Sequence, residues 1–172
     1  MSRMLALACA LALSAGSAVV PAVGPALAQQ PVAPATPPYG PPIPLDLAKR
    51  AMAAAELEAA KNSWQVAITI LDSGGNLVMF HKFDNAQLSA VTVSEGKART
   101  ALEFKRPSKV LDDAIAAGGA GMRLLALKNI TPIDGGLPVV LDGRIIGAIG
   151  VSGALSSQDA QVAKAGTDAL TR

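Results

Sequence analysis

The sequence predicts an α+β sandwich, one mainly antiparallel sheet with helices packed on it. Three observations carry this expectation. Two pairs of short apolar runs are joined by tight turns, Ser73-Gly74-Gly75-Asn76 and Asp142-Gly143. Asp-Gly supplies the two positive-φ positions of a type I′ hairpin turn. Apolar residues at helical spacing flank these strands at both ends of the domain, starting with Leu45, Ala48, Met52, Ala55 and Ala59. The strand at 144–152 has one almost bare face. With strict alternation Ile145, Gly147, Ile149 and Val151 point one way, and Ile146, Ala148, Gly150 and Ser152 the other. A packed helix or a flat ligand must approach that surface closely.

The elements follow in order. Residues 1–28 read as a signal peptide: Arg3 charges the start, Leu5 to Ala15 is apolar, and Ala26-Leu27-Ala28 fits the small-x-small cleavage rule. The apolar run is too short and too interrupted for a transmembrane helix. Cys9, the one cysteine of the chain, would leave with this peptide, so the mature protein would have no disulfide and no thiol nucleophile. Export to the periplasm or the medium is the expectation. Residues 29–44 contain Pro31, Pro34, Pro37, Pro38, Pro41, Pro42 and Pro44 and read as an extended, flexible leader. Residues 45–172 have the length of one domain with a real core.

Within that domain a helix is expected over about 45–61 and a hairpin over 64–84, with Leu77, Met79, His81 and Phe83 sharing a face of its second strand. A second helix runs from Ser89, a candidate N-cap, to Phe104. A short third helix follows Ser108 and stops at Gly118-Gly119. Residues 120–133 fit either a helical turn or a short strand. The Asp142-Gly143 hairpin comes next, then a helix opened by Ser156 with Asp159 as capping-box partner.

The chain's net charge is +2, and no basic patch is interleaved with aromatics, so nucleic acid is not the expected partner. His81 is the sole histidine and the natural candidate ligand for haem iron or another transition metal; the alternative is a hydrogen-bonded rim histidine. Met52, Met79 and Met122 are candidate thioether ligands or core filler. Tyr39 is a further candidate, placed in the leader. Lys97 and Arg99 could bind carboxylates or haem propionates, or could belong to a solvated helix face with Glu95. Asp134-Gly135-Gly136 could form an anion-binding nest or only a turn before Pro138. It is no P-loop, because Gly-Lys-Ser/Thr is missing. The glycines of 147–153 are no dinucleotide fingerprint, since they fall inside a strand. No Ser/His/Asp set and no acid/base pair can be named.

Several of these pieces together resemble a known family. They are Leu71-Asp72, His81-Lys82-Phe83-Asp84, Lys97-Ala98-Arg99-Thr100-Ala101, the block from Gly135 to Gly153, and Gln158-Asp159-Ala160-Gln161-Val162-Ala163-Lys164. They resemble the GlcG/HbpS-like family of small haem-binding proteins, often labelled haem-degrading, over about 45–172. The resemblance implies a profilin-like sandwich with helices on both faces of the sheet. It also implies homo-oligomers, and haem binding in some secreted members. It fixes no catalytic residue, and haem degradation would rest on the family label alone. The resulting expectation is an exported haem- or tetrapyrrole-binding protein for haem sensing, storage or scavenging. His81 would be the iron ligand, Lys97 and Arg99 propionate partners, and Gly135 and Gly136 part of the site. A binder or enzyme for a small organic (hydroxy) acid is the second reading, and a structural oligomerisation module the third.

Overall fold

The structure, a computed structural model, describes residues 35–171. The predicted signal peptide and the start of the leader lie outside the described residues. The elements are α1 (Leu45–Lys61), β1 (Ala67–Asp72), β2 (Leu77–Lys82), α2 (Ser89–Phe104), α3 (Lys109–Ala116), a 3₁₀ segment (Gly119–Ala126), β3 (Gly136–Leu141), β4 (Arg144–Ser152) and α4 (Ser156–Asp168). One four-stranded sheet runs in the order β2-β1-β4-β3, and every neighbouring pair is antiparallel. The ambiguous stretch at 120–133 adds no strand.

Helices cover both faces, as the resemblance implied. On one side α1 and α4 close over Ile68, Ile70, Ile149 and Val151. The alanines of α1 (Ala48, Ala51, Ala55, Ala59) are fully buried there, which lets the helix lie close to the sheet. On the other side α2 packs on β4 and β1, with Ala98 and Leu102 against Leu71, Ile145 and Ala148. A Cβ on Gly150 would collide with Ser94 O and reach 2.5 Å from Ala98 N. The bare face of β4 is therefore where α2 sits, and a flat ligand is not needed to explain it.

Strict alternation fails at two places, for one reason. Opposite β3, Val139 pairs with Gly147 but Val140 pairs with Ile145, so Ile146 is an extra residue in β4. A bulge of this kind turns the residues before it to the opposite face. Ile145 accordingly packs with α2, and Ile146 with the α1 side. In β2 the jump from Leu71↔Leu77 to Ile70↔Met79 makes Val78 the extra residue. Leu77 thus leaves the face it was expected to share with Met79 and His81. The Asp142-Gly143 turn is as expected, with φ 48° and 72°.

Residues 38–43, read as part of the leader, run extended along the start of β4. β1 ends opposite Gly147, so the Ile145 and Ile146 backbones need other partners. Gly40 N–H donates to Ile145 O at 2.8 Å, Ile145 N–H to Pro38 O at 2.9 Å, and Ile43 N–H to Ile146 O at 2.8 Å. Ile43 is buried, and the Tyr39 hydroxyl donates to Leu102 O at 2.9 Å.

The caps differ from expectation. Leu88 and Leu155 stand at the N-cap positions, and Ser89 and Ser156 are the first helical residues. Gln158 Oε1 accepts the Leu155 N–H at 3.1 Å, which frees Asp159 to turn inward.

Candidate functional site

The sequence-predicted site residues fall into three separate places. The first is the β2 edge. Among the described residues β2 is paired on one side only, so His81 stands at the rim of the sheet, on the face covered by α1. Its Nδ1 is 2.6 Å from Glu56 Oε1 of α1, and the two side chains are 47% and 36% exposed. A carboxylate can only accept, so in the neutral ring Nδ1 carries the proton and Nε2 keeps its lone pair. This is the arrangement in which a carboxylate orients a metal-binding imidazole. Among the described residues, His81 has no hydrogen bond through Nε2. Met79 and Phe83, two residues away on either side, are half-buried.

The second place is the end of the sheet where α2, α4 and the β3 entry meet. Lys97 is 1% exposed, and its Nζ donates to Asp159 Oδ2 at 2.8 Å. Asp159 Oδ1 accepts the Ala154 N–H at 3.0 Å. Burial pushes the Asp159 carboxyl above the ordinary aspartate range, while Lys97 and the Ala154 N–H pull it down. Gly135, at φ 117°, covers this pair: a Cβ there would stand 2.9 Å from Asp159 Cβ and 3.0 Å from Lys97 Nζ. Gly136 is buried against the Lys97 carbonyl, and its N–H donates to Ser108 Oγ at 2.9 Å. Lys97, Gly135 and Gly136 do not open toward a ligand. Gly135 is required by close packing on the ion pair and Gly136 by close packing on the Lys97 main chain, so the loop is a lid and not an exposed nest.

Asp159 is the residue that sequence reasoning missed. Its position three residues after Ser156 predicts a capping partner. The signal for its other role was present: Asp159, Val162, Ala163 and Gly166 form one buried stripe at helical spacing. Lys97 likewise falls between Ser94 and Ala101 on the inner face of α2. A buried cation on one helix implies a buried anion nearby.

The third place surrounds Arg99. A cleft of about 550 Å³ lies between the outer face of α2 and residues 128–131. Arg99 Nη2 donates to Glu95 Oε1 at 3.1 Å along the helix. The sheet separates this cleft from the face on which His81 meets Glu56. His81, Lys97 and Arg99 were expected to serve one ligand, and the fold keeps them apart.

The other candidates are placed as follows. Met52 is buried core, Met79 packs against that core, and Met122 is 47% exposed on the 3₁₀ segment. Tyr39 lies under the Lys105 ammonium, 4.2 Å from its ring centre. Burial, with Glu103 adding to it, raises its phenol above the ordinary range. Among the described residues, no group of three or more His, Cys, Asp or Glu side chains could hold a metal ion, and no helix is long and apolar enough to cross a membrane.

Comparison with known proteins gives a consistent result. A family model described as "Haem degrading protein HbpS-like" matches residues 43–168. Protein GlcG of Escherichia coli (strain K12) is 40% identical over 106 residues, covering 62% of this chain and 78% of GlcG. The crystal structure of HbpS superposes with a TM-score of 0.70 at 28% identity, covering 77% of this chain and 92% of that one. A PduOC:heme complex shares the fold at 23% identity, with a TM-score of 0.68 over 74% of this chain and 94% of that one.

Proposed function

From the premise that this chain belongs to the HbpS-like family, we propose that it is an exported haem- or tetrapyrrole-binding protein serving in storage, scavenging or sensing. The observation that carries the reading is the His81–Glu56 contact at the open edge of β2. One imidazole with a free Nε2 cannot by itself hold a bare metal ion. Haem iron differs, since the porphyrin already holds it and a single protein nitrogen, His81 Nε2, would suffice to bind it. The chain's sole histidine, oriented by a carboxylate and flanked by half-buried Met79 and Phe83, fits that requirement. Bound there, haem would supply an iron centre and a flat apolar surface. The chain's own part is to orient the imidazole through Glu56 and to offer the β2 rim as a platform.

Lys97 has no role at that ring, because Asp159 holds it in the interior. Arg99 lies on the other face of the sheet. The charged start, apolar run and Ala26-Leu27-Ala28 pattern support export to the periplasm or medium. Met122, Leu125 and Leu127, all exposed on or beside the 3₁₀ segment, support assembly into a homo-oligomer, which light scattering would test.

Adding haemin to the protein from Gln29 onward tests the reading. A saturable Soret shift is expected, and His81→Ala should weaken binding by at least about 10-fold, or roughly 1.4 kcal/mol. An unchanged shift in His81→Ala would remove His81 as ligand. No saturable binding by the wild-type protein would sink the haem reading.

A further inference from the structure

The Arg99 cleft has no part in the haem reading, and its walls are ordered by specific contacts. Residues 128–131 dock on α2 because Gly96 has no side chain: a Cβ there would collide with Thr131 Oγ1. The Thr131 N–H donates to the buried Thr100 Oγ1 at 2.7 Å. Asn129 takes a left-handed φ of 62°, which asparagine tolerates, and turns the chain at the rim. The second wall is one face of α2, where Glu95, Arg99 and Glu103 succeed each other at four-residue spacing.

The polar groups in the cleft are unequally engaged. Glu95 is paired with Arg99 through a single nitrogen, which leaves most of the guanidinium's five N–H donors open. The ammonium of Lys128 and the carboxylate of Glu103 have no side-chain hydrogen bond or ion pair among the described residues. Two cations with free donors thus line the cleft together with one free carboxylate. A simple polyanion would meet Glu103 and be repelled. A bare cation would meet Arg99 and Lys128.

We propose that this cleft binds a small carboxylate that carries a neighbouring hydroxyl or amino group. The carboxylate lies on Arg99 and Lys128, where charge-assisted bonds are strongest. The neighbouring O–H or N–H donates to Glu103. This site is independent of the β2 rim and uses none of its residues.

Titration calorimetry with lactate and alanine as probes, and with acetate and ethylamine as half-ligands, tests the proposal. At least one of the two full probes should bind saturably and more tightly than either half-ligand. The better of the two identifies the neighbouring group as hydroxyl or amino. Arg99→Gln and Lys128→Ala should each weaken binding by about 10-fold or more. Both side chains reach solvent, and circular dichroism should show each variant folded. Glu103→Gln should narrow the advantage of the full probe over acetate. Haemin binding should be unaffected in Arg99→Gln, and probe binding unaffected in His81→Ala, so failure at one site leaves the other standing. Absence of saturation in the tens of millimolar, or equal binding by wild-type, Arg99→Gln and Lys128→Ala proteins, would overturn the proposal.

Discussion

Two contacts join a basic side chain of one element to a carboxylate of another, and burial gives them opposite meanings. Lys97 and Asp159 meet at 2.8 Å with side chains 2% and 3% exposed. His81 and Glu56 meet at 2.6 Å with side chains 47% and 36% exposed. In the first pair glycine backbone fits over both charges, so nothing else can reach them. It links α2, on one face of the sheet, to α4, on the other. In the second, water and ligands reach the ring, and the carboxylate engages one nitrogen while leaving the other free. The chemically suggestive lysine is part of the architecture, and the histidine at the rim is the group left open to solvent.

The largest effect that would test this contrast belongs to the buried pair. Lys97→Ala leaves Asp159 without its partner and should cost about 3–5 kcal/mol, read as a large fall in the urea midpoint. Replacing both partners by apolar residues, Lys97→Met with Asp159→Leu, should recover most of that loss. If Lys97→Ala unfolds at the wild-type midpoint, the pair does not hold α2 to α4.

Asp72 sharpens the contrast from between the two extremes. It sits at the β1–β2 turn, where its Oδ1 accepts the N–H groups of Gly74 at 2.8 Å and Asn76 at 2.9 Å. Burial works to raise its carboxyl, but the bonds from Asn76, Gly74 and Gly75 outweigh it and hold it below the ordinary value of 3.8. A depressed carboxyl contributes stability above its unfolded value and loses it as pH falls through the folded one. Asp72→Ala should therefore cost on the order of 1 kcal/mol near neutral pH. That difference should vanish in strongly acidic solution, as measured by urea unfolding across a pH series.

The smallest effect on stability is expected at the exposed pair. Glu56→Gln should change unfolding free energy by no more than about 0.5 kcal/mol while lowering haemin affinity, because the ring loses its orienting charge. A large loss of stability in Glu56→Gln would make the rim contact structural, as the buried one is.

Much of the fold was legible. The Asp142-Gly143 turn, the alanine stripe of α1 and the bare face of β4 all report local geometry, and local geometry is written in residue spacing. The bulges at Val78 and Ile146 were not legible. An extra residue in a strand leaves the apolar pattern plausible on either side, and only pairing with a neighbour shows which residue is extra. The candidate site was legible residue by residue but not as a set. His81, Lys97 and Arg99 were each noticed for their chemistry, and nothing in their spacing told which face of the sheet each would occupy.

By itself the sequence determined the class of fold, the order of its elements, the tight turns and the family. These depend on periodicity, turn chemistry and short motifs, all of which act between residues close in the chain. Only the tertiary structure decided that Lys97 finds Asp159, that Gly135 closes over them, that residues 38–43 join β4, and that the β2 rim and the Arg99 cleft lie on opposite faces. Those outcomes depend on which distant segments share a layer. Burial then fixes whether a charge is locked in the interior or left free to bind.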